Sequence, residues 1–362
     1  MSRSSLLVNL SALMEKPTGI SAYTRNLLPQ LKPIGPTVLS NQQLLGLDRL
    51  PIPSSLSPEY GLRGHVRRLF WLQTAVPRIY QALDSRLIFS PLPEAPLYSG
   101  CRFVITVHDL IPLRFPRPRS PLTIYFRHVV PHIVKRAVHI VANSHCTARD
   151  IERFYKINPN KITTIPLAYD RENFTVSSRS GQPVEARYFI YIGRQDAYKN
   201  IGRLISAFTR IALKTDTQLW LVGPFDKRYT PQLLAQVREL DMVNRVRFLD
   251  YVAYEALPNL LAGAIALVFP TLWEGFGLPA LEAMACGTPV ITSNISSLPE
   301  VVGNAAILID PRSVDELAIA MEAVSSNASL RSAYRQAGLA RANLFSWEKT
   351  GQETVEVLKR FL

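Results

Sequence analysis

Residues 270–286 read Pro-Thr-Leu-Trp-Glu-Gly-Phe-Gly-Leu-Pro-Ala-Leu-Glu-Ala-Met-Ala-Cys, and this stretch decides the fold. The apolar run 264–269 precedes it, and 278–286 has the spacing of a helix. A buried strand, a glycine-bearing loop and a helix put the loop at the carboxyl edge of a parallel sheet, where open α/β folds bind ligands. Gly275 and Gly277 let the backbone approach a bound group, and the amides of Phe276, Gly277 and Leu278 stand at a helix start, suited to an oxyanion or phosphate. Glu274 precedes the turn, and Glu282 lies one helical turn inside, within reach of the same edge. Residues 275–280 also satisfy a loose G-x-G-x-x-A dinucleotide pattern. Its context argues otherwise: the loop comes late in its domain, Pro279 occupies the helix start, and no acid ends the strand 289–292 to hold a ribose.

Strand-like and helical segments alternate on both sides of this loop. In the first half the strands are 6–10, 87–90, 103–107, 139–143 and 162–166, with helices at 19–31, 122–136 and 144–154. The polar stretch 176–186 reads as a linker. Strands then recur at 188–192, 218–222, 246–248, 264–269 and 289–292, with helices at 201–213, 231–240, 255–262 and 278–286. The pattern predicts two doubly wound α/β domains, 1–176 and 177–345, followed by an amphipathic helix over 346–362.

A second cluster lies where the strand 188–192 ends. Gly193 permits a tight strand exit, while Arg194 and Lys199 offer two cations to a diphosphate leaving group as its bond breaks. No D-x-D sequence occurs, so the usual carboxylate pair for a metal-bound diphosphate is missing and these cations would take the metal's place. His108 directly follows the strand 103–107, at the sheet edge expected to carry ligands. His128, His132 and His139 have no such setting and read as structural. The three cysteines show no metal-ligand spacing and fit a reduced compartment.

Charge is uneven. Residues 1–178 hold 22 Lys and Arg against 10 Asp and Glu, whereas the remainder holds 19 against 18. The positive first half suits phosphate-bearing substrates or an anionic membrane surface. A candidate patch joins Arg63, Arg67 and Arg68, spaced for one helical face and followed by Phe70, Trp71 and Leu72, with Arg114, Arg117 and Arg119. No nucleic-acid-binding motif accompanies it. Residues 6–10 are too short for a secretory signal, and the apolar region 257–273 is broken by Pro258, Asn259 and Pro270. The expectation is a cytoplasmic protein, peripheral on the inner face of the membrane where it meets lipid.

Taken together, Gly193-Arg194 with Lys199-Asn200, Gly223-Pro224, and Glu274-Gly-Phe-Gly-Leu-Pro with Glu282 resemble the retaining glycosyltransferases of family 4, which have the GT-B fold. The E-x7-E spacing of Glu274 and Glu282 is a hallmark of that family. The segment Val107-His-Asp-Leu-Ile-Pro112, Asn143-Ser144 and the closing Phe345-Ser-Trp-Glu348 extend the likeness to the bacterial mannosyltransferase-like branch. The resemblance implies two Rossmann-like domains facing a cleft, with the final helix crossing back onto the first. It implies that Arg194 and Lys199 hold the donor diphosphate, that Glu282 bonds the ribose, and that Glu274 with the amides of Phe276, Gly277 and Leu278 engages the sugar. The base would rest near Gly223-Pro224 and Tyr251-Val252, Gly19 and Ile20 would approach the diphosphate and acceptor, and His108 would reach the donor sugar. Thr18-Gly19-Ile20 stands where many relatives have two glycines.

The implied reaction is retaining transfer of a hexose, foremost mannose from GDP-mannose, to a glycan or lipid-linked glycan, with no metal or other cofactor. UDP-glucose or another nucleotide hexose is the alternative donor. A nucleotide-sugar epimerase and a non-catalytic carbohydrate- or nucleotide-binding protein are the rival classes. The acceptor and the oligomeric state leave no signal.

Overall fold

A computed structural model describes residues 5–14, 19–44, 46–176 and 187–362; the expected linker, apart from Val176, lies outside them, as does Thr18. The chain divides into two compact units, Met1–Leu167 with Ser346–Leu362, and Ala168–Phe345.

The first unit runs β1 (Leu6–Asn9), α1 (Gly19–Leu31), β2 (Thr37–Ser40), β3 (Asp48–Pro51), α2 (Gly61–Ala82), β4 (Leu87–Ser90), β5 (Phe103–Val107), α3 (Ile111–Arg114), α4 (Pro121–His128), α5 (Val130–Arg136), β6 (His139–Ala142), α6 (His145–Tyr155) and β7 (Ile162–Thr164). Its strands form one parallel sheet in the order β3-β2-β1-β4-β5-β6-β7. Strands β1, β2, β4, β5 and β6 are buried throughout, as expected of a parallel sheet covered on both faces. The single helix expected over 122–136 is two, α4 and α5, separated at Val129, because Pro131 enters near the start of the second. Ser144 caps α6 by accepting from the Thr147 amide at 3.0 Å.

The second unit continues with β8 (Arg187–Ile192), α7 (Ile201–Ala212), β9 (Thr217–Val222), α8 (Thr230–Glu239), β10 (Val246–Leu249), α9 (Leu257–Gly263), β11 (Ala266–Phe269), α10 (Leu278–Ala285), β12 (Val290–Ser293), α11 (Leu298–Val302), β13 (Ile307–Ile309), α12 (Val314–Ser326) and α13 (Ala328–Ala342). Its sheet is parallel in the order β10-β9-β8-β11-β12-β13. Residues 168–176, expected in the first domain, belong here. Asn173 Nδ2 donates to Tyr254 O at 3.1 Å, the Phe174 and Tyr254 rings meet edge-on at 5.3 Å, and Arg171 donates to the carbonyls of Asn343 and Phe345.

Helix α14 (Trp347–Lys359) closes the chain within the first unit. Trp347 packs 6.1 Å from Tyr23 of α1, and Thr350 donates to Pro166 O at 2.8 Å. A Cβ on Gly351 would stand 2.1 Å from Gln30 Cβ, so α14 approaches α1 as closely as a helix can without a side chain.

The basic patch expected around α2 is only partly a surface. Arg68 is buried and forms a two-pronged pair with Glu94, at 2.7 and 2.9 Å, while also donating to Leu56 O. Leu72 is fully buried and Trp71 packs on the core, whereas Arg63, Arg67 and Phe70 face water. Arg114 is drawn into an ion pair with buried Asp150.

Candidate active site

In each unit the strand order reverses at one point, between β1 and β4 in the first and between β8 and β11 in the second. Ligands bind beyond the carboxyl ends of the strands at such a switch point. The expected site residues of the second unit cluster there: Gly193, Arg194 and Lys199 follow β8, while Glu274, Phe276, Gly277 and Leu278 follow β11.

Two glycines make the local path possible. A Cβ on Gly223, at φ +157°, would fall 2.0 Å from Gly193 O, so the exits of β8 and β9 can touch only where residue 223 has no side chain. Gly277 sits at φ +108° before the first turn of α10, and a Cβ there would meet Leu298 at 2.7 Å. No side chain caps α10; Pro279 has no amide hydrogen and the Ala280 amide donates to Gly277 O at 3.0 Å, so an external acceptor at this start would meet the Leu278 amide.

The charges on this edge are already compensated. Lys199 Nζ donates to Glu274 Oε1 at 2.5 Å, and both side chains are nearly buried. The ammonium also lies 5.2 Å from the Tyr198 ring and 5.3 Å from the Phe269 ring. Arg194 Nε stands 3.0 Å from Asp196 Oδ2, with 62% of the arginine side chain exposed. Asp196 also attracts Arg228 at 3.6 Å, a third cation that the sequence reading missed. Its signal was its place just after the Gly223-Pro224 exit.

Hydrogen bonds fix the 271–277 loop from behind. Ser297 Oγ donates to Glu274 O and Phe276 O at 3.1 and 2.8 Å, Ser293 Oγ to Thr271 O at 2.6 Å, and the Leu272 amide to Tyr198 O at 2.7 Å. Asn200, in the left-handed region at φ +66°, donates to Pro270 O and Pro311 O. These supports escaped sequence reasoning because serine and threonine spacing alone does not tell a loop staple from a surface hydroxyl.

Glu282 lies within α10, in the field of Asp170. Burial of its carboxyl, and secondarily the nearby Asp170 charge, push its pKa up to about 7, although part of the residue still reaches solvent. Tyr254 hydrogen-bonds Asp170, and its own pKa is raised by burial, then by Glu282 and Asp170. Pro224 and Tyr251 are exposed after β9 and β10, and Val252 is half-buried beside Tyr251.

In the first unit, Gly19 and Ile20 open α1 and are exposed. A recess at the switch point is lined by Asn9, Ile20, Thr24, Ser90, Pro91 and Glu94, and Asn9 Nδ2 donates to Ser90 Oγ across the β1–β4 junction at 3.2 Å. His108 follows β5, with its ring edge-on to Tyr23 at 4.8 Å. Its Nε2 lies 2.9 Å from Pro91 O, and a carbonyl can only accept, so Nε2 carries the proton and Nδ1 is an acceptor. Burial outweighs that bond and lowers the His108 pKa to about 4, so the ring is neutral at pH 7.

Comparison with known proteins accounts for both units. The sequence model "Glycosyl transferases group 1" matches residues 173–341, and "Glycosyltransferase Family 4" matches 19–173. The chain is 32% identical over 268 residues to the O-antigen chain mannosyltransferase B of Escherichia coli, covering 71% of this chain and 70% of that one. It is 28% identical over 317 residues to the O-antigen chain mannosyltransferase RfbU of Salmonella typhimurium, covering 84% and 87%. Among solved structures, the sucrose-phosphate synthase of Thermosynechococcus elongatus superposes with a TM-score of 0.78 at 20% identity over 99% of both chains. With two parallel Rossmann-like sheets of GT-B type, the chain belongs to the family 4 glycosyltransferases.

Proposed function

We propose that this glycosyltransferase moves mannose from GDP-mannose, with retention of anomeric configuration and without a metal, to a hydroxyl of a glycan or lipid-linked glycan at the cytoplasmic face of a membrane. The observation that carries the reading is the Lys199–Glu274 pair, held beside the uncapped start of α10 at the switch point. The likeness to two O-antigen mannosyltransferases favours mannose as the sugar.

In this scheme Arg194 and Lys199 offset the negative charge that grows on the diphosphate as the glycosidic bond breaks. The amides of Phe276, Gly277 and Leu278 supply further donors. Glu274, fixed by Lys199, orients a sugar hydroxyl and does not attack the anomeric carbon, because its carboxylate is already held by the ammonium. Glu282 takes the ribose, and Gly223, Pro224, Tyr251 and Val252 border the base. The departing phosphate accepts the proton of the acceptor hydroxyl, which attacks from the same face, so positioning and electrostatics do the catalysis. His108 acts as a neutral acceptor toward the donor sugar through Nδ1, with Gly19 and Ile20 near the acceptor.

The test is incubation of the protein with GDP-mannose, UDP-glucose and other nucleotide hexoses, with and without glycan acceptors. Acceptor-dependent GDP release and an α-linked product by NMR are expected. UDP release in place of GDP would refute the donor, and an inverted product the stereochemistry. Chelator inactivation reversed by a divalent ion would refute metal independence.

A further inference from the structure

A cavity of about 370 Å³ opens on the second sheet at the end opposite the candidate active site. Ile265 and Pro289, which directly precede β11 and β12, form part of its floor, and Arg187, the first residue of β8, stands on its wall. Because these strands are parallel, their amino ends share one edge, whereas Arg194, Lys199 and Glu274 follow the carboxyl ends. At ~3.3 Å per residue, the six residues of β8 keep the two edges ~20 Å apart. The volume falls in the range of small-molecule sites, about 300–1,000 Å³.

Three arginines line the cavity: Arg187, and Arg331 and Arg335 of α13, the last two one helical turn apart on one face. None of them forms an ion pair with a described residue. Helix α13 contains no Asp or Glu, and the nearest acid before it, Glu322, is paired with Lys214 at 3.0 Å. Asp216, the residue before the register partner of Arg187 on β9, is exposed and not bonded to it. Glu185 lies outside the described residues.

Backbone carbonyls hold the guanidinium groups in place. Ser325 O accepts from Arg187 and from Arg331, both at 2.9 Å, so two cationic nitrogens stand within twice that distance of each other. Arg331 also donates to Val324 O at 2.7 Å, and Arg335 to Gly287 O at 3.2 Å. Gly287 has φ +72°, and a Cβ there would meet the Arg335 guanidinium at 2.8 Å, so the cation lies against bare backbone. Capping is a real role for these residues, since α9, α10 and α12 all end at this edge. It does not use up their charge. Each helix end supplies at most about half a negative charge, so three guanidinium groups exceed three such ends by about 1.5 charges. No arginine spends more than two of its five N–H donors on the carbonyls.

An excess of oriented cations around a concave site fits a dianion, and the planar forks of arginine match phosphate oxygens in pairs. The cavity is roomier than a bare phosphate needs, and its floor is apolar at Ile265 and Pro289. We infer that it binds a small organic phosphate monoester, the phosphate held by Arg187, Arg331 and Arg335 and the organic part resting above Ile265 and Pro289. The exposed Ser332 hydroxyl on the cavity wall serves a polar group of that organic part. This site stands on the opposite sheet edge from the donor chemistry and does not depend on it.

The experiment is calorimetric titration of the full chain with glucose 6-phosphate and glycerol 3-phosphate, set against inorganic phosphate and free glucose. One or both esters should bind with submillimolar Kd, inorganic phosphate at least about tenfold more weakly, and glucose not at all. Arg335→Gln should weaken ester binding about tenfold, the loss of one charge-assisted contact. Ser332→Glu sets a carboxylate among the arginines at an exposed position of α13, and should abolish binding without lowering the melting temperature. Arg194→Gln, at the carboxyl edge, should bind the esters as the parent does, so failure here and failure of the donor site are read separately. Absence of ester binding, inorganic phosphate binding as tightly as the esters, or a Ser332→Glu protein that binds like the parent would overturn the inference. So would an Arg194→Gln protein that loses ester binding as fully as Ser332→Glu.

Discussion

Replacing Lys199 tests structure and chemistry at once. At 2.5 Å from Glu274, its gross Coulomb attraction is on the order of 6–7 kcal/mol at an effective dielectric of about 20, and desolvation of both ions offsets much of it. Removing one partner does more harm than that net value, because the other charge stays in place without compensation. The Lys199 and Glu274 side chains keep 12% and 11% of their exposure, so little water can reach an orphaned carboxylate. Lys199→Met should therefore destabilise the second unit by about 3 kcal/mol, the lower end of the range for broken buried pairs. For a unit of this size that is a fall in Tm of roughly 6–12 °C. Glu274→Gln should cost less, since its amide still accepts from the ammonium. The double variant should recover most of the Lys199→Met loss in calorimetry. Turnover should not follow stability: each single variant and the double variant should lose at least about tenfold in kcat/KM, about 1.4 kcal/mol of transition-state stabilisation. A Lys199→Met protein that melts within about a degree of the parent and turns over normally would show that the pair neither anchors the loop nor serves the diphosphate.

Other expectations follow from the same edges. Glu282 titrates near 7 and donor binding needs its ionised form to accept from the ribose, so donor affinity should rise with pH through about 7. Asp170→Asn should move that rise to lower pH and Glu282→Gln should flatten it; an unaltered profile in the Gln variant, measured by calorimetric titration of donor, would sink the assignment. The same raised pKa means the folded state binds the extra proton, so the Glu282 contribution to stability is present at low pH and lost as pH rises through about 7. Gly223→Ala should destabilise by about 3 kcal/mol or more, because its Cβ meets a backbone oxygen that cannot move aside, and urea unfolding reads this directly. His108→Asn should leave the pH dependence of kcat/KM between 5 and 8 unchanged while lowering its value, since the native ring is neutral throughout that window; a lost titration limb would contradict this.

The second unit was the more legible half. Its strands are long apolar runs such as Tyr188–Ile192, broken by glycine or proline, and its site residues sit where those runs end, so periodicity and punctuation agree. In the first unit β2 and β3 went unread. Thr37–Ser40 has only two apolar residues, Val38 and Leu39, between two hydroxyls, and Asp48–Pro51 is polar and partly exposed at the sheet edge, so neither carries the apolar run of the strands that were read. Helix α2 escaped as an element because Pro77 lies inside it and arginine occupies a buried position. Arg68 misled for the same reason. Its spacing from Arg63 and Arg67 reads as one charged surface, and only the fold brings Glu94, twenty-six residues away, to meet it. Ion pairs between distant loops, Lys199 with Glu274 above all, leave no local trace.

The two switch points differ in how they satisfy their polar groups, and the difference bears on selectivity. The first unit closes its β1–β4 junction with an amide-to-hydroxyl bond, Asn9 to Ser90, sets the neutral imidazole of His108 just after β5, and has Glu94, already paired with Arg68, in the recess there. The second uses ions whose partners are other ions: Lys199 with Glu274, and Arg194 and Arg228 with Asp196. Neutral groups such as Asn9, Ser90 and His108 can tell one sugar hydroxyl from another but have little to offer a diphosphate, whereas the paired ions of the second unit can release a cation toward an incoming anion. Lys199 can release its ammonium only when another group takes over Glu274, and a sugar hydroxyl donating to that carboxylate would do so. Sugar and diphosphate would then bind cooperatively. Free GDP should consequently bind far more weakly than GDP-mannose in the parent protein, and Glu274→Gln should narrow the gap, because a neutral glutamine amide holds the ammonium less strongly than a carboxylate does. Calorimetric titration of both ligands into both proteins measures this; an equal gap in the two would mean that the pair is a fixed brace and that the diphosphate is held by Arg194 and the α10 amides alone.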